Sequence, residues 1–61
     1  MEKLIKETNQ IIAEIGAGNL AEANNKLVQE LVNSANEEQI EAIESKINLI
    51  NMRIRLDMES K

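Results

Sequence analysis

The chain has 61 residues, a net charge of -4, and no Cys, His, Phe, Tyr or Trp. This excludes disulfide staples, thiolate or imidazole metal centres and any aromatic core, so Ile, Leu, Val, Met and Ala must supply the whole interior. A surplus of eleven acidic over seven basic residues also opposes general attraction to nucleic acid or to anionic lipid.

The first predicted element is a helix over residues 2–15. Leu4, Ile5, Thr8, Ile11, Ile12 and Ile15 recur at helical spacing on one face, and Glu2, Lys3, Lys6, Glu7 and Glu14 fall mainly on the other. Gly16-Ala17-Gly18 ends the pattern, and one of the two glycines is expected to take a left-handed, helix-ending conformation.

A second helix is predicted over residues 20–33. Asn19 is its N-cap, with Glu22 at the capping-box position. Leu20, Asn24, Leu27, Val28, Leu31, Val32 and Ala35 are expected to form its inner face. The intervening turn is short, which predicts an antiparallel αα-hairpin with Thr8 hydrogen-bonded to Asn24 across it. The run Gly18-Asn19-Leu20-Ala21-Glu22-Ala23 resembles the inter-helix turn of tetratricopeptide-type hairpins. The aromatic and Pro positions of that repeat are missing, so the resemblance implies hairpin geometry and nothing about membership.

The third helix is predicted from about 37 to 59, capped by Asn36, with Ser34 as the competing cap. Ile40, Ile43, Ile47, Ile50 and Ile54 follow the three-four spacing of a heptad seam. With Ile40 at position a, Ala42, Leu49 and Leu56 fall at c and Met52 at f, on a second apolar face. The first two helices, at about 21 Å each, cover only part of a helix of roughly 33 Å. The uncovered end is expected to include Ile50, Met52, Ile54 and Leu56. The fold class is therefore all-α: a single domain of three helices, assembled into an oligomeric helical bundle. The predicted oligomer or partner interface is Ile43, Ile47, Ile50, Met52, Ile54 and Leu56.

Chemistry is sparsely represented. Thr8, Ser34, Ser45 and Ser60 have no His beside which to act as nucleophiles, so no catalytic residue is assigned and the chain is read as a non-enzyme. Glu37, Glu38, Glu41 and Glu44 lie off the Ile seam and read as a solvated acidic surface, with no metal and no cofactor expected. Lys46, Arg53 and Arg55, with Asn48 and Asn51, are the candidate anion-binding set. A DNA-reading helix would be basic and poor in Ile, and this one is the reverse.

No apolar run approaches the length of a membrane span and no leader pattern is present, which predicts a cytoplasmic protein. Heavy use of Asn, Ile, Lys and Glu is what an AT-rich coding sequence produces, and points to a bacterium or its phage. The sequence reading is a non-catalytic helical interaction protein. It self-associates through its C-terminal helix and binds or inhibits a larger protein, as adaptors do. The alternative is an oligomer that sequesters an anionic ligand such as a nucleotide between subunits.

Overall fold

A computed structural model describes residues 2–59, and these form three helices: α1 (Glu2–Ile15), α2 (Leu20–Asn33) and α3 (Glu37–Glu59). The fold is all-helical. Ser60 lies outside the described residues.

Each boundary has a local cause. At the end of α1, Gly16 takes φ +71°. Its N–H donates to the Ala13 carbonyl at 3.3 Å, and the Ala17 N–H donates to Ile12 at 3.0 Å. This pair of bonds is a Schellman ending, and glycine is needed because an L side chain at that φ crowds its own carbonyl. At the start of α2 the Asn19 side chain accepts from the Glu22 N–H at 2.8 Å. Glu22 reaches back past the cap to accept from the Gly18 N–H at 3.0 Å. Ser34 closes α2, its hydroxyl donating to the Glu30 carbonyl at 2.7 Å and its N–H to Leu31 at 3.2 Å. That leaves Asn36 to cap α3, where Oδ1 accepts from the Glu38 N–H at 2.9 Å.

The interior is small. Ile11 from α1, Ala23 and Leu27 from α2, and Ile50 from α3 form the buried cluster. Ile12, Ile15, Leu20, Ile43, Ile47, Leu49 and Ile54 pack around it while keeping some exposure. Leu20 and Ala21 share a cleft with Ile54 and Met58, so the start of α2 meets the end of α3 and the two helices run antiparallel.

The α1–α2 relationship departs from a close hairpin. These two helices are neighbours in sequence, yet they share the sparsest of the three helix–helix interfaces, and both pack more extensively on α3. The expected Thr8–Asn24 bond does not form. Thr8 is fully buried, and its hydroxyl lies 2.9 Å from the Leu4 carbonyl and 3.0 Å from that of Ile5. It accepts from Arg53 of α3 at 3.1 Å. Asn24 Oδ1 is buried with no hydrogen-bond partner. The reason is that α3, not α2, fills the space above Thr8.

Candidate interaction surface

The residues assigned to the interface fall into three environments. Ile50 is wholly enclosed by Ile11, Ala23 and Leu27, so it belongs to the chain's own core and is unavailable to a partner. Ile43, Ile47 and Ile54 are half-buried against the same cluster, and Leu56 is half-buried as well. Met52 is 55% exposed, and Met58, which falls outside the predicted interface, is 72% exposed. The expectation that α3 would present Ile50 at an uncovered end is thus corrected. α1 packs on α3 through Arg53, and α2 packs through Ile54. These two positions are about 100° apart around the helix, so between them the short helices cover more of α3 than a hairpin lying on one side would. Leu49, from the second apolar stripe, is accordingly packed against the core.

α2 also leaves apolar side chains exposed. Val28 is 42% and Val32 78% exposed, and Ala21, Asn25 and Ala35 are also exposed. Helical spacing alone assigns Val28, Val32 and Ala35 to the inner face, and the structure corrects this. At about 100° per residue, Val28 and Val32 lie roughly 100° and 140° round from Leu27. Together they make an apolar arc wider than one neighbouring helix can fill. The width of that arc was the available signal.

The candidate anion-binding residues are not brought together. Arg53 is turned inward, its Nε donating to Asp57 Oδ1 at 3.1 Å and its Nη1 to Thr8. Arg55 and Asn51 line a shallow cleft with Ile54, Met58 and Glu59. Lys46 lines a separate groove with Ile15, Lys26, Glu30 and Ile43, which holds acidic as well as basic side chains. Asn48 is exposed elsewhere on α3. A second basic residue, Lys26, is committed to structure. Its ammonium donates to the Ile15 and Gly16 carbonyls at 3.3 and 3.1 Å, capping α1, which has no basic residue of its own in its last turn.

Glu37, Glu38, Glu41 and Glu44 are all exposed, and among the described residues no group of three or more acidic side chains is arranged to hold a metal ion. No helix among the described residues is long and apolar enough to cross a membrane. No protein family, curated protein or solved structure matches the chain.

Proposed function

We propose that this is a non-catalytic interaction protein that self-associates and, in that form, binds a larger protein as an adaptor or inhibitor of bacterial or phage type. One observation carries the reading: four large aliphatic side chains, Val28, Val32, Met52 and Met58, are left exposed, while the buried apolar core consists of Ile11, Ala23, Leu27 and Ile50. Burial of a side chain of that size contributes about 1.5–3 kcal/mol. A domain this small has a total stability of only several kcal/mol, so covering such groups changes its stability substantially. On the C-terminal helix the exposed large apolar groups are Met52 and Met58, while Ile43, Ile47, Ile54 and Leu56 are half-buried. The alternative of an anionic ligand between subunits has less support, because Arg53 already donates to Thr8 and Asp57.

Sedimentation equilibrium over a wide concentration range tests the proposal. The expected result is a mass that rises with concentration, together with a thermal midpoint that rises with it. A constant monomer mass up to high micromolar concentration would refute self-association.

A further inference from the structure

The exposed face of α2 has an internal symmetry that fits a second copy of itself. The helix runs from Leu20 to Asn33, so its midpoint lies between Lys26 and Leu27. Ala21, Asn25, Val28 and Val32 are spaced four, three and four residues apart, and all four are exposed. Reversing this stripe about the helix midpoint exchanges Ala21 with Val32 and Asn25 with Val28. An antiparallel copy therefore sets the small Ala21 against the larger Val32, twice, and Asn25 beside Val28, twice. Such self-complementarity is what a two-fold contact requires, since residue i must meet j where j meets i. No charged residue interrupts the stripe, so each chain's charge of -4 is kept out of the contact.

The chain exposes 4581 Å² in all. A monomer of 6.9 kDa is expected to expose about 4000 Å². The surplus, roughly 600 Å², belongs to the whole elongated molecule, of which the α2 stripe is one exposed part. Met58 extends the apolar surface at one end of the stripe, because it shares a cleft with Leu20 and Ala21.

We propose that two copies pack α2 against α2, antiparallel, about a two-fold axis through the helix midpoint. This rests on the self-association reading above and assigns it to α2 instead of the C-terminal helix. The test compares the parent with Val28→Glu/Val32→Glu and with Met52→Glu by sedimentation, with helicity checked by circular dichroism. Both sets of positions are exposed in the monomer, so both variants should stay folded. The Val pair should weaken association roughly 100-fold or more, because it forces unpaired carboxylates into the contact, and Met52→Glu should leave it unchanged. A second measurement uses the absence of native Cys. In Ala21→Cys/Val32→Cys the two thiols lie roughly 16 Å apart along one helix, too far for an internal disulfide. Oxidation should give a covalent dimer from this double variant but not from Met52→Cys. If the parent is a dimer that survives the Val pair, or if no cross-link forms, the α2 assignment is wrong and self-association stands. If the parent is a monomer throughout, both fall.

Discussion

The contact between Thr8 and Arg53 should be worth about 2 kcal/mol, and it can be isolated. The two residues are 45 positions apart, and the Arg53 Nη1 to Thr8 Oγ1 distance is 3.1 Å. Thr8 is completely buried, and the Arg53 side chain is 19% exposed. A hydrogen bond to a charged donor contributes about 1.5–3 kcal/mol, and the residual exposure of Arg53 argues for the lower half of that range. Arg53→Met keeps the aliphatic stem and removes the donor. Thr8→Val keeps the volume and removes the acceptor. Each single change should lower the thermal midpoint by something like 10–15 °C, at about 4–8 °C per kcal/mol for a domain near this size. The double variant should fall short of the sum by about 1–2 kcal/mol. Circular dichroism is the appropriate probe, since the chain has no aromatic residue, and protein concentration must be held fixed throughout. Additivity to within about 0.5 kcal/mol would mean that Arg53 and Thr8 are not coupled, and that α1 does not pack on α3 through this pair.

Further outcomes follow from single side chains. Gly16→Ala should cost about 1–2 kcal/mol in thermal or urea denaturation, because Gly16 has φ +71°. Gly18→Ala should cost clearly less, since its added Cβ meets only the flexible Glu22 carboxylate. Equal costs would contradict the Schellman ending. Ile50→Ala should remove about 2–5 kcal/mol and leave little folded protein at ambient temperature, as read by helicity. Met52→Ala should change a monomer's stability by no more than about 0.5 kcal/mol. Asn24→Leu should be neutral or stabilising by about 1 kcal/mol in urea titration, because Asn24 Oδ1 is buried without a partner. A loss of more than about 1 kcal/mol would show that this oxygen is satisfied.

What the sequence determines by itself is local. Periodicity, the caps Asn19 and Asn36, and the two-glycine turn place three helices, because each of these signals acts within about one helical turn. They equally mark Ile50 as a seam residue and Glu37, Glu38, Glu41 and Glu44 as surface. The tertiary structure alone decided which helix lies against which stripe. A heptad pattern reports the direction in which a side chain points, but not which neighbour it meets. Both stripes of α3 were therefore legible, while their division between α1 and α2 was not. The same limit applies to Arg53, Lys26, Val28 and Val32. Arg53 has the composition of an anion ligand, and its commitment to Thr8 depends on a partner far away in the chain. Lys26 caps a helix to which it does not belong. Val28 and Val32 have the apolar character of inner-face residues, but Ala23 and Leu27 take the buried positions of α2, with Leu20 packed beside them. The rest of the apolar arc faces outward, and that outward face is the surface on which the proposed pairing depends.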